Sequence, residues 1–319
     1  MPRRLLALPI ALAALAFSAA GCGSSSSSSS PPGAIDVVVT TTQLGDIVRS
    51  IGGDAVDVHQ ILKPNTDPHD YEPRPKDIQE TAGAKVVVTS GDNLDKWMGE
   101  VVSNAGGSPT VLDAGAGRPV TLPGEDTGPE ASRFDPHWWH DPVNVEYAIT
   151  RIRDALAQAD PDATAAIDRG AESYLTKVKA MDTGIAKCFA AVPAARRKLV
   201  TDHDAFGYFA KRYDIDVVGA VIPSQTTQAQ PSAGDLAKLV AVIKREDVKA
   251  VFPESSINPK LAKAIARETG ATADLTLYGD TLGPAGSPGA TYVGMMVANA
   301  DAMVRGFTGG QARCTVPGL

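Results

Sequence analysis

Residues 160–192 read DPDATAAIDRGAESYLTKVKAMDTGIAKCFAAV. Asp160 is a capping carboxylate, and Pro161 takes the first helical position, where its missing N–H costs nothing. Apolar side chains then recur at Ile167, Ala171, Tyr174, Val178, Met181, Ile185 and Phe189, in steps of three or four, until Pro193 ends the pattern. The spacing predicts one continuous helix, on the order of 45 Å long at about 1.5 Å per residue. Gly170 and Gly184 lower its intrinsic helicity, so packing has to hold it. The alternative is two shorter helices broken near Asp182-Thr183-Gly184.

The sequence on either side of this helix alternates strand and helix patterns. Before it, strands are expected at 35–41, 56–62 and 85–89, and helices at 43–51, 74–83, 94–102 and 144–156. After it come strands at 198–201, 217–222, 250–252 and 273–277, with helices at 206–213, 235–244, 259–268 and 292–307. Such alternation implies parallel sheets covered on both faces. The expected fold is therefore α/β, with two Rossmann-like parallel-sheet lobes, 34–159 and 193–319, joined by a single long rigid helix over 160–192. Ligands of such sheets collect in the loops beyond the strand C-termini. Residues 115–134, rich in Gly, Pro and acidic side chains, are expected to be an irregular surface excursion.

A different logic governs the first 33 residues. Arg3 and Arg4 precede an apolar run over 5–17, and Ser18-Ala19-Ala20-Gly21 leads to Cys22, which together read as a secretory signal over 1–21. Small residues directly before a Cys resemble a bacterial lipoprotein cleavage box, although Ala19 stands where Leu is commoner. Ser24 to Ser30 and Pro31-Pro32 then form a flexible tether within 22–33. The expected mature protein begins at a lipidated Cys22 and is anchored on the extracytoplasmic face of the cell membrane; a cleaved, unlipidated secreted form is the alternative. Cys188 and Cys314 are the remaining cysteines, and an even pair in an exported chain reads as a disulfide. The net charge of −7, with no basic stripe, argues against a nucleic-acid partner, and no strand-to-helix turn carries GxGxxG or a P-loop.

The chemistry concentrates in the histidines. There are five, at 59, 69, 137, 140 and 203, and three of them fall in Asp67-Pro68-His69-Asp70-Tyr71-Glu72-Pro73 and Asp135-Pro136-His137-Trp138-Trp139-His140-Asp141-Pro142. A proline before His stiffens the loop and presents the imidazole from a fixed backbone, which suits a metal ligand. His203 follows a strand, as do Asp280 and its rival Glu254. A cleft between lobes that gathered His69, His137, His203 and Asp280 would suit Zn²⁺, or alternatively Mn²⁺ or Fe²⁺. Four protein ligands close the shell, as in a carrier site, and no HExxH signature marks a catalytic zinc.

These motifs, together with His203-Asp204-Ala205-Phe206-Gly207-Tyr208-Phe209 and Gly279-Asp280 ahead of Tyr292-Val293-Gly294-Met295-Met296, resemble the metal-binding lipoproteins that serve zinc and manganese ABC importers. The likeness runs from about residue 35 to residue 307. It implies that His69, His137, His203 and Asp280 are the metal ligands, that the long helix is a rigid spine, and that a membrane permease is the partner of a monomeric, non-enzymatic binding protein. Manganese-selecting members carry Glu where this chain has His203, which tips the expectation toward zinc. The His-rich loop of many zinc members is missing, since 115–134 contains no His. His140 and Glu254 are candidates for groups behind the ligands, with His140 expected to face solvent or bond locally, and His59 is expected to be structural. Two other classes stay open: a secreted zinc-dependent hydrolase with Asp280 or Glu254 as general base, and a receptor for a metal chelate such as haem or a siderophore.

Overall fold

The computed structural model describes residues 33–128 and 130–319. The signal segment, Cys22 and the Ser/Pro tether lie outside the described residues. In chain order the elements are β1 Ile35–Val39, α1 Thr42–Gly52, β2 Val56–Gln60, α2 Pro75–Ala82, β3 Val86–Thr89, α3 Met98–Ala105, β4 Thr110–Asp113, α4 Pro142–Ala159, α5 Thr164–Ala190, β5 Lys198–His203, α6 Gly207–Tyr213, β6 Asp216–Ile222, α7 Ala233–Arg245, α8 Lys260–Thr269 and α9 Tyr292–Thr308. The first sheet is parallel throughout, in the order β2-β1-β3-β4, and the second pairs β5 with β6 in parallel.

Both faces of the first sheet are buried because its strands are apolar at consecutive positions. Val37, Val39, Val86 and Val88 point into the main core, whereas Val38 and Val87 join Ile61, Met98 and Val101 on the opposite face. The second sheet divides in the same way: Val200 and Val221 pack with Leu239, Ile243 and Ile265, and Leu199 belongs to the main core.

α5 is continuous, with Ile167, Ala171, Tyr174, Val178, Met181, Ile185 and Phe189 buried along one face. It packs on α1, α4 and α9. One apolar cluster runs from Ile35 and Val88 through α5 to Leu199, Phe252 and Met303, so the halves share a core. The two glycines expected to weaken α5 are sites of close approach: a Cβ on Gly170 would sit 2.0 Å from the Ile51 carbonyl oxygen, and one on Gly184 would sit 2.3 Å from Val316 Cγ1. The Cys188 and Cys314 sulfurs are bonded, with Cα atoms 5.3 Å apart, which fastens the C-terminal tail to the end of α5.

Several elements differ from expectation. Residues 250–252 and 273–277 are not strands of a ladder; they touch their neighbours through single parallel bridges, Thr201 to Phe252, Ala250 to Thr272 and Glu254 to Leu277. Pro253, directly after the first of these stretches, has no N–H to carry the pairing further, and the next amide, that of Glu254, goes to the Asp202 carboxylate. β4, short and half-exposed at the sheet edge, has too little apolar content to read as a strand. The helix expected at 94–102 starts only at Met98, because Asp92 and Asn93 have φ of 51° and 64° and the Asp95 carboxylate folds back on the Ser90 and Gly91 amides. Residues 115–134 are not wholly at the surface either. Arg118 is buried, its guanidinium donating to Gly115 O, Asp135 O and Tyr208 Oη.

Replacing Gly170 by Ala tests the crossing of α5 on α1. The gain in helix propensity of up to about 1 kcal/mol is expected to be outweighed by an overpacking cost of about 1–3 kcal/mol. Gly170→Ala should lower the urea midpoint, whereas Gly99→Ala in α3, where a Cβ meets nothing within 4 Å, should leave it level or raise it.

Candidate metal centre

Each expected ligand is held by local structure that its sequence dictates. Asp67-Pro68-His69 and Asp135-Pro136-His137 are the same device twice. In each, the Asp carboxylate accepts the amide of the His two residues on, at 3.0 Å for His69 and 2.9 Å for His137, and Pro fixes the backbone between them. His203 is the last residue of β5, and its amide donates to Glu254 Oε1 at 3.0 Å. The Asp280 loop is pinned on both sides. Asn299 of α9 bonds the Tyr278 amide and carbonyl, Trp139 Nε1 donates to Gly279 O, and the Leu282 amide donates to Thr42 Oγ1.

Because all strands of each sheet run the same way, their C-terminal loops meet between the sheets. There the structure brings together His69, His137, His203 and Asp280, one potential ligand atom from each lying within 4.8 Å of the others, all four residues buried. His203 Nε2 is 3.4 Å from His137 Nε2 and 3.4 Å from Asp280 Oδ2; His137 Nε2 is 3.4 Å from Asp280 Oδ1, and His69 Nε2 is 3.8 Å from Asp280 Oδ2. A tetrahedron with bonds of about 2.0–2.1 Å has edges of about 3.3–3.4 Å, so most of these separations are those of donors around one four-coordinate ion.

All three imidazoles turn Nε2 inward and rest Nδ1 on a carboxylate. Glu130 Oε2 lies 2.5 Å from His69 Nδ1, Asp135 Oδ1 2.7 Å from His137 Nδ1, and Glu254 Oε1 3.0 Å from His203 Nδ1. A proton on Nδ1 shared with a carboxylate leaves Nε2 as the free lone pair and makes it more basic, the arrangement found behind metal-binding histidines. Glu254 thus stands behind His203 and does not face the centre as a rival to Asp280 or as a general base.

The electrostatics follow. Burial would depress the His137 imidazole, but the carboxylates of Asp135 and Asp280 outweigh it and raise its pKa to about 9. His203 is treated alike: burial lowers it, and Asp280 with Glu254 raises it well above its ordinary value. Asp280, which burial would push up, is held well below the usual carboxylate range by His203, His137 and His69. A metal-free centre at neutral pH therefore carries protons where a cation would sit.

His140 corrects an expectation. It is fully buried, stacked on Phe206 with ring centroids 4.5 Å apart, and burial followed by the charge of His137 lowers its pKa to about 3. It is a neutral packing group outside the set of four. Trp138, Trp139 and Phe206 are buried around the centre, while Tyr71 lies further out against Trp97 and donates to Asp77. His59 is a half-buried β2 residue 3.9 Å from Glu80. Glu130 had no signal in the sequence, since it is 61 residues from the histidine it touches. Asp135 was legible as a turn residue, but its second contact with the imidazole was not.

Residues 37–306 match the family described as zinc-uptake complex component A, periplasmic. The chain belongs to that family. Its fold is that of these metal solute-binding proteins, and the family is not one of enzymes. The chain is 32% identical to the iron-binding protein YfeA of Yersinia pestis over 85% of its own length and 86% of the relative's. It is 31% identical to the manganese-binding lipoprotein MntA of Halalkalibacterium halodurans, over 92% and 96% respectively. Among solved structures, the periplasmic zinc-binding protein TroA of Treponema pallidum superposes with a TM-score of 0.78 at 31% identity, covering 86% of this chain and 99% of the other. The names of these family members span three metals.

A cation entering this centre has to displace the protons on His137 and His203, so uptake should release protons. The raised His137 value places the window: between pH 6.5 and about 9 the metal-free fold retains a proton that unfolded His would lose. Through that window the metal-free chain should lose stability as pH rises, while its affinity for Zn²⁺ increases. Titrations with a pH indicator and Zn²⁺ isotherms at several pH values check this; a pH-independent affinity would contradict it.

Proposed function

We infer that this protein captures a single divalent transition-metal ion on His69, His137, His203 and Asp280 and delivers it, outside the cytoplasm, to the membrane permease of an ABC importer. Zinc is the proposed cargo. The observation that carries the reading is the convergence of four buried donors, one from each of these residues, within 4.8 Å of one another, with three of the contacts among them at 3.4 Å, which suits a single bare ion. Three imidazoles and one carboxylate favour a borderline cation such as Zn²⁺ over Mn²⁺, which prefers more oxygen donors and higher coordination. The relatives named for iron, manganese and zinc support metal transport in general and leave the choice of zinc to the donor set.

The donor count speaks against the hydrolase reading, because four protein donors gathered at one point fill the shell in which a catalytic zinc keeps a place for an activated water. Full burial of the four side chains speaks against a chelate the size of haem. Relatives named as lipoproteins fit the proposed lipid anchor at Cys22. The core shared through α5 fits release by a small local loosening and not by wide hinge closure.

Competition between Zn²⁺ and Mn²⁺ for the metal-free protein, followed by elemental analysis, tests the assignment. Zn²⁺ should bind more tightly, and His203→Ala should weaken it by at least about 100-fold, beyond the range seen for groups behind ligands. His203→Glu should narrow the gap between the two metals. Preferential retention of Mn²⁺ by the native chain would overturn the choice of zinc.

A further inference from the structure

The three carboxylates behind the histidines are not equivalent. Asp135 is two residues from His137 and binds both its amide and its ring, so its position is fixed by the same turn. Glu254 has a fully buried side chain and likewise holds both the amide and the ring of His203, while its own amide is held by Asp202. Among the described residues Glu130 bonds the ring of His69 and not its amide, its side chain is 12% exposed, and it comes from the excursion after β4.

The described residues of that excursion form a strap. Its two limbs pair between Pro123 and Phe134, with Gly124 N donating to Arg133 O and Asp135 N to Leu122 O. Its far side is tied to the loop after β6, where Glu125 accepts from Ser224 Oγ and the Gln225 amide. The same loop reaches the His69 turn: Thr227 Oγ1 donates to Asp67 Oδ2 at 2.7 Å, and the Gln228 side chain donates to His69 O. The turn that carries His69 is thus gripped from the far lobe by side chains distant in sequence, whereas the other two histidines are gripped by their own turn or by the buried core.

We propose that Glu130 is the positioning residue that holds His69 Nε2 toward the cation, and that metal release begins at His69 when the strap lets Glu130 withdraw. This rests on the transport reading above. Breaking one solvent-reachable carboxylate contact frees one donor without disturbing the buried ones, so Glu130 sets the rate at which the ion leaves.

The test uses the full chain loaded with Zn²⁺, or with Co²⁺ as a spectroscopic probe. Dissociation into a chelator is followed by stopped flow for native protein, Glu130→Ala, Glu130→Gln and Glu125→Ala. Glu130→Ala should release the ion about 10–100-fold faster and alter the Co²⁺ absorption bands, while the metal-free chain still unfolds in one cooperative transition. Glu130→Gln, which keeps an acceptor for Nδ1–H, should fall between. Glu125→Ala should also speed release, because Glu125 ties the strap to the loop that carries Thr227 and Gln228 to the His69 turn. Native dissociation rates and native Co²⁺ spectra in both Glu130 variants would overturn the proposal. If native protein takes up neither ion, the transport reading itself fails. Tight native binding that is lost in His203→Ala but untouched in the Glu130 variants sinks only the role of Glu130.

Discussion

A carboxylate and three imidazoles cannot be buried at one point without a positive charge among them. Asp280 has both oxygens out of contact with water, and its nearest neighbours are the inward nitrogens of His69, His137 and His203. In the metal-free protein the charge is supplied by protons on His137 and His203, which the carboxylates of Asp135, Asp280 and Glu254 keep in place. On the proposed reading a metal ion supplies it instead. Protons then act as placeholders that hold the centre together until the cation arrives.

The rest of the fold keeps those groups within reach of one another. Parallel strands from both halves end at the same cleft, and α5 with its shared core sets the distance between them. The glycine contacts along α5 show how closely this spacing is fixed, because Gly170 leaves no room for even a methyl group against Ile51 O. Cross-cleft hydrogen bonds such as Thr42 with Leu282 and Thr281 with Asn65 close the remaining gap. A donor set gathered within 4.8 Å follows from this scaffold, which ties both halves together through α5 and across the cleft.

Much of this was legible in the sequence, and the reasons are local. The period of α5, the two Asp-Pro-His turns and a histidine at a strand end are written in consecutive residues, so the fold class and the three converging histidines could be read before their geometry was seen, while the choice between Asp280 and Glu254 needed the structure. Pro253 directly follows the strand expected at 250–252 and stops its pairing from extending, an effect that hydrophobicity, blind to a missing donor, does not show. β4 was invisible for the opposite reason, being too short and exposed to show periodicity. Glu130, Thr227 and Gln228 reach their targets across long stretches of chain, and no spacing rule links them to His69. His140 was misplaced because a histidine beside Asp141 in a proline-bounded turn reads as solvent-facing, whereas its neighbours in space are Phe206 and Phe209.

X-ray absorption at the zinc edge, on protein loaded with one equivalent of Zn²⁺, reports the coordination shell itself. The expected spectrum is that of four light donors at about 2.0–2.1 Å, with the outer-shell scattering of three imidazole rings, falling to two rings in His203→Ala. A shell of six oxygen donors, or ring scattering unaffected by loss of His203, would show that the cation sits elsewhere and that the convergence of the two halves serves another purpose.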